Sequence, residues 1–319
     1  MDEFKLIDKY LKKISANNPN AKKLNDDVFF DKKNKLVVSV DTYNEGVHFP
    51  NFKYPHLLIK KVIRSSISDL IAKGVKPVYY FISVSGNKRQ LDKKKFKIIT
   101  NSLNQEQKKY NIKLSGGDTT NFSKISFSIT SIGFSKKIIE RNKAKLNDDI
   151  YVTGNIGDSY VGLKVIKNKI KINSKLKKYF INQYYCPNLP YKICNELHNF
   201  ANTSMDISDG LLSDVEKLIN KQNLSFEINV NKIPISNKLK FYLIKYKKNK
   251  IQYLFNGDDY QILFTASKNH RKLIKSVSMK MNQKITRIGK IINIYKKNSI
   301  KLDNRAQNLS KLRGYSHKF

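Results

Sequence analysis

Cysteine is scarce in this sequence. Cys186 and Cys194 are the two in 319 residues, and neither has paired histidines nearby. That excludes a disulfide framework and a zinc site, and leaves ordinary buried or half-buried thiols as the expectation. Long apolar runs are missing too: none approaches the roughly 20 residues a membrane helix needs. The opening MDEFKLIDKYLKKI lacks the apolar core of a signal peptide. Its Phe4, Ile7, Leu11 and Ile14 recur at helical spacing, so a folded amphipathic helix and a cytoplasmic protein are expected. No GxxxxGK[ST] loop occurs, and the TGNIG turn at 153–157 lacks the GxGxxG spacing, so a nucleotide would be bound without either motif. EF-hand spacing is absent, as is any Ser/His/Asp or Cys/His arrangement for nucleophilic catalysis.

Acidic residues are also few: 25 against 62 Lys and Arg, a net charge of +37. Such a balance invites a nucleic-acid reading, because basic side chains neutralise backbone phosphates. Here the lysines are spread over the whole chain, and runs such as Lys93–Lys95 and Lys247–Lys248 are short and not interleaved with aromatic residues. Solvated helix faces explain them, and no specific nucleic-acid partner is expected. A composition of 40% hydrophobic and 27% charged residues is that of a globular chain, and the length suits two domains. The boundary is expected where the chain turns polar at 142–149, giving residues 1–142 and 143–319.

Because acids are rare, their placement is informative. In LVVSVDTYNEGVHF, Leu36–Phe49, an apolar run delivers Asp41 to an expected strand end, with His48 just beyond the turn. Four other stretches put Asp at an element boundary: Asp26-Asp27, Asp69, Gly116-Gly117-Asp118, and Asp206 with Asp209. Val28–Phe30 and Leu36–Val40 read as paired strands, and 57–73 as a helix stopping at Gly74. Asp69 falls on the unfavourable side of that helix's dipole. Val78–Val84 reads as a strand, 92–110 as a helix, and Ile112–Leu114 as a short strand ending in SGGDTT, whose glycines would present N–H groups to phosphate; a plain tight turn would not need the Asp-Thr-Thr tail. In MDISDGLLSD, Met205–Asp214, Asp209 could be a helix N-cap, yet three acids in that stretch of an acid-poor chain ask for more. Asp258-Asp259 precede an apolar strand in LFNGDDYQILF.

Several carboxylates in one cleft repel each other: about 4 kcal/mol for two unit charges about 4 Å apart at an effective dielectric near 20. Magnesium relieves that repulsion using few carboxylates plus substrate phosphates. Together with glycine-rich backbone, this is what phosphoryl transfer requires.

The motifs SVDT…GVHF, ISDLIAKGVKP, LSGGDTT, ERNKAKLNDDIYVTGNIGDS, DISDGLLSD and NGDDYQILF occur in the order seen in the thiamine-monophosphate kinase family, which the chain resembles over nearly its full length, including a tail like GY-x-H-F. That family belongs to the superfamily of aminoimidazole ribonucleotide synthetase. The resemblance implies an N-terminal α/β domain whose sheet pairs with a second subunit's in a barrel-like homodimer core, and a C-terminal α+β domain covering the cleft. It implies ATP-dependent phosphorylation of thiamine monophosphate to thiamine diphosphate by direct transfer of the γ-phosphoryl group. Asp26, Ser39, Val40 (through its backbone), Asp41, Asp69, Asp118, Asp206 and Asp209 correspond to the shell of several Mg2+ ions. Tyr110, Gly117, Asp118, Arg141 and Ser208 correspond to ATP contacts, and His48, Asp258 and Leu312 to the thiamine phosphate side. No general base is implied, since a phosphate nucleophile is already ionised at neutral pH.

This chain departs from the family pattern at Asn25, where Gly is usual, at Asp258, where Glu is usual, and at Leu312, where a larger aromatic is common. Sister reactions of the superfamily would keep a similar ATP site, although no cysteine near the N-terminus supports selenophosphate chemistry. A catalytically idle binder of nucleotide or thiamine phosphate is the reading from another class.

Overall fold

The structure is a computed structural model that describes residues 3–302, 305–306, 314–315 and 317. Among these, two sheets organise the chain. The first has the order β1-β2-β5-β3-β4, from Phe29–Asp31 (β1), Leu36–Asn44 (β2), Pro77–Gly86 (β3), Lys113–Asn121 (β4) and Ser126–Phe134 (β5). Neighbours are antiparallel except β3 and β4, which run parallel. The second sheet has the order β12-β11-β8-β10-β6-β9-β7, from Asp149–Thr153 (β6), Ala201–Asp206 (β7), Leu224–Asn229 (β8), Ile262–Ala266 (β9), Ile285–Asn293 (β10), Ser299–Leu302 (β11) and Arg305–Ala306 (β12).

Alternation decides the first sheet's faces. Val37, Ser39 and Tyr43 on β2 pair directly with Gly133, Ser131 and Phe127 on β5, and this side is buried. It packs on the long helix Pro55–Ala72, whose Leu58, Ile59, Val62, Ile63, Ile67 and Ile71 are all inaccessible. Burying each contributes about 1.5–3 kcal/mol. The opposite side carries Val40, Tyr79, Phe81 and Phe134, exposed at 66%, 38%, 39% and 51%. No element of this chain covers them among the described residues. In the second sheet β6 and β9 are buried along their whole length, as strands covered on both faces must be.

The long helix ties the two sheets together. Its Ser68 hydroxyl donates to Asp206 Oδ2 on β7 at 2.7 Å, and Arg64 reaches the Pro187 carbonyl at 3.1 Å. The first sheet ends at Phe134 and the second begins at Asp149. The expected boundary at Asn142 falls in the irregular connection, pinned by an amide hydrogen bond to Leu218 O. Both cysteines are buried and free.

Three expectations about local structure change. The N-terminal segment is helical, but a π-turn at Ile7–Leu11 interrupts it and none of its residues is buried. The π-turn breaks the 3.6-residue period, so the apolar stripe no longer falls on one face. Next, β2 runs through Asn44, which puts Asp41 inside the strand rather than at its end, because β5 keeps pairing that far. Finally, the short strand expected to end at Leu114 continues through SGGDTT as edge strand β4, Lys113–Asn121. At Gly117 a Cβ would lie 1.8 Å from the Ile82 carbonyl oxygen, so only glycine allows β3 and β4 to pair after the register shift at Tyr80–Phe81.

Candidate active site

A cleft of about 600 Å³ opens between the two sheets. Its floor is acidic. Asp41 comes from β2, Asp69 from the last turn of the long helix, and Asp206 from the end of β7. Ser39 donates to Asp69 Oδ2 at 2.5 Å and Ser68 to Asp206 Oδ2. Burial pushes the Asp41 and Asp206 carboxyls up to about 7. Asp69 is raised well above the carboxylate range, first by burial and then by the charges of Asp41 and Asp206. Asp41 Oδ2 is buried with no hydrogen-bond partner. Mutual repulsion plus an orphaned carboxylate oxygen is the electrostatic signature of a place for a cation. Among the described residues no three acidic, His or Cys groups form a ready-made cage. Mg2+ suits such a floor, because it takes only one or two carboxylates and completes its shell with water and phosphate.

The side walls come from loops. Gly257 lets the loop before β9 lie directly on the loop after β7, where a Cβ would sit 1.9 Å from the Ser208 carbonyl oxygen. Asp258 N–H donates to that same carbonyl at 2.9 Å and Tyr260 N–H to Ile207 O at 2.8 Å. Ser208, Asp209 and Asp258 therefore line the cleft from one joined platform. Asp209 is not the helix cap: Gly210 holds that position, and Asp214 accepts the Asp209 and Gly210 amides from inside the helix. Lys217 pairs with both Asp209 and Asp214.

At the other end His48 Nδ1 accepts the Asn44 N–H at 2.9 Å, which fixes the neutral ring with its proton on Nε2. Burial lowers its basicity. Asp258 is held by Lys61 and by the Tyr260 hydroxyl at 3.1 Å. The tail returns here, with Tyr315 N–H on Asp209 O at 3.0 Å and the His317 ring 5.2 Å from that of His48. Leu312 lies outside the described residues.

The remaining expected site residues are placed differently. Arg141 lines the cleft, donating its amide to Asp26 Oδ2 at 3.0 Å and its guanidinium to Asp27. Asp26 faces inward to the Lys73 ammonium at 2.7 Å. Tyr110 does not face the cleft: its ring is buried against Arg64 and Tyr191, at the C-terminus of the helix Lys93–Tyr110, a helix whose far end is capped by Asp92. Gly117 and Asp118 sit on the exposed edge strand, Asp118 in the row Thr42–Ser128–Ser83–Asp118 that belongs to the uncovered face. Three lysines at the site were not anticipated: Lys61, Lys73 and Lys217. Each is buried or nearly so against carboxylates. A smaller cavity of about 240 Å³ beside Asp158 and Asp259 has its acids satisfied, by Ser236 and Tyr179 for the first and the Gly157 amide for the second.

The family model described as AIR synthase related protein, N-terminal domain, matches residues 25–135, the part of the chain that forms the first sheet and the long helix. The thiamine-monophosphate kinase of Buchnera aphidicola subsp. Acyrthosiphon pisum is 33% identical over 99% of this chain and 98% of its own length. That of Aquifex aeolicus is 33% identical over 73% of this chain and 76% of its own. The chain belongs to the thiamine-monophosphate kinase family. A solved structure of AaThiL complexed with AMPPCP and TMP superimposes with a TM-score of 0.86 at 29% identity, covering 99% of this chain and 97% of that one.

Proposed function

We propose that this chain transfers the γ-phosphoryl group of ATP directly onto thiamine monophosphate, giving thiamine diphosphate and ADP. The observation that carries the reading is the floor of the cleft, where Asp41, Asp69 and Asp206 converge and one carboxylate oxygen has no partner. The relatives' activity and the ligands of the AaThiL complex support it.

In this reading Asp41, Asp69, Asp206 and Asp209, with Ser39 and the Val40 carbonyl, hold Mg2+. Bound there, the metal would neutralise charge on the transferred phosphoryl group. Arg141 and Ser208 take the nucleotide side. His48 presents Nε2–H to the thiamine phosphate side, and Asp258 is positioned for the substrate by Lys61 and Tyr260. The protein supplies alignment and charge; the acceptor phosphate needs no base. The protein is read as cytoplasmic, with domains 1–142 and 143–319.

The same proposal includes a homodimer. The uncovered sheet face with Val40, Tyr79, Phe81 and Phe134 is a contiguous apolar surface of the kind a second copy buries. Gly117 and Asp118 lie at its edge and would meet nucleotide only in that assembly. The test is incubation with ATP, Mg2+ and thiamine monophosphate, followed by chromatography. Thiamine diphosphate that depends on both protein and Mg2+ is expected; ATP binding without product over hours would instead make the chain an idle binder.

A further inference from the structure

Lys73 is wholly inaccessible to solvent. It follows directly on the long helix, just before the turn at Gly74. Its ammonium lies 2.7 Å from Asp26 Oδ1, 2.6 Å from Asp27 Oδ2 and 2.8 Å from the Ser204 carbonyl on β7. The contact with Asp27 Oδ2 is charge against charge rather than an aligned hydrogen bond. A buried lysine is tolerated only when its charge is matched, and a helix C-terminus adds favourable potential for a cation.

We infer that the Lys73 ammonium is the resident cation of the Asp26–Asp27 pair, so that this corner of the site takes no divalent ion. The inference rests on the kinase reading above, because it divides the cation positions of that site into permanent and exchangeable ones. Both Asp26 oxygens are engaged: Oδ1 by Lys73 and the Asp27 amide at 2.8 Å, Oδ2 by the Arg141 amide at 3.0 Å. Asp27 is paired with Lys73 and Arg141. Mg2+ needs open oxygens at about 2.0–2.1 Å; at this corner it would meet a fixed ammonium instead. Asp27 Oδ2 and Asp41 Oδ2 are both buried without a hydrogen bond, but Asp27 Oδ2 lies 2.6 Å from the Lys73 ammonium, whereas among the described residues no ammonium or guanidinium pairs with Asp41. The donor set therefore fits a metal on the Asp41–Asp69–Asp206 side and does not fit one at Asp26.

The test counts Mn2+ bound per chain by equilibrium dialysis and electron paramagnetic resonance in the presence of a non-hydrolysable ATP analogue. Lys73→Met removes the charge at nearly constant length and should bind one Mn2+ more than the unaltered protein, and Mn2+ should raise its Tm by more. Asp26→Asn should bind the same number as the unaltered protein. A Lys73→Met count equal to the unaltered protein's, or an Asp26→Asn count lower by one, overturns the inference. If Lys73→Met does not fold, the Asp26→Asn count decides. An unaltered protein that binds no Mn2+ with the analogue would sink the kinase reading, and the inference with it. That outcome is distinguishable from an altered count in one variant.

Discussion

At the residue scale, the raised carboxyls of the cleft floor have a consequence for stability. Burial holds Asp41 and Asp206 at about 7, against an unfolded value of about 3.9. The folded protein therefore binds more protons than the unfolded chain between those values, and metal-free stability falls as pH rises through that window. Scanning calorimetry of the metal-free protein from pH 5 to pH 8 should show Tm dropping. Mg2+ with a non-hydrolysable ATP analogue should flatten the drop by supplying the missing positive charge. A metal-free Tm that climbs over that range would refute the repulsion argument. His48 yields a second expectation. Its Nδ1 is committed to Asn44, so the group it can offer a ligand is Nε2–H. A hydrogen bond to a charged group contributes about 1.5–3 kcal/mol. His48→Ala should accordingly raise KM for thiamine monophosphate by roughly ten- to a hundredfold while moving KM for ATP little; equal effects on both would remove it from the substrate side.

At the scale of elements, the edge pairing of β3 and β4 depends on one missing side chain. Gly117→Ala places a methyl against the Ile82 carbonyl oxygen, on backbone rather than on a side chain that could swing away. The variant should lose about 1–3 kcal/mol in urea unfolding, and an unchanged midpoint would mean the edge strand is already free to shift. This glycine also shows where sequence reasoning reached and where it stopped. The pair Gly116-Gly117 was legible as a close approach of backbone, but a single chain cannot say whether the partner is a phosphate or a neighbouring strand. The acids were legible because they are rare here, and each one at an element boundary stood out. The lysines were not, for the opposite reason: among 62 basic residues, nothing in the pattern marks Lys61, Lys73 or Lys217 as buried. Their signal is tertiary, since each is matched by a carboxylate distant in sequence or a turn away on a helix. The strands and long helices followed from period and punctuation. Asp41 moved inside β2 because pairing with β5, a contact across more than eighty residues, set the strand's true end.

At the scale of the whole molecule, the first sheet is finished on one side only. Its inner face has a helix and a continuous core, while its outer face leaves Phe81 at 39% and Val40 at 66% exposed, and among the described residues β4 forms an edge with a strand on one side only. A sheet with an apolar open face and a free edge tends to associate unless charge or cover prevents it. The closest charged group in that row is Asp118, which sits at the edge and is itself an expected ligand of the nucleotide site. In the proposed assembly two roles would meet on one surface, and a single substitution tests them apart from the cleft. Phe81→Glu puts a charge on the open face at a residue that does not itself line the cleft. Sedimentation velocity should show a dimer for the unaltered protein and a monomer for Phe81→Glu, and far-UV circular dichroism should be the same for both. If Asp118 acts only across the dimer, the monomer should also lose most of its activity, and it should regain part of it at high protein concentration where the weakened dimer reforms. A fully active monomer would place the whole reaction within one chain, and would leave the exposed edge strand without a part in it.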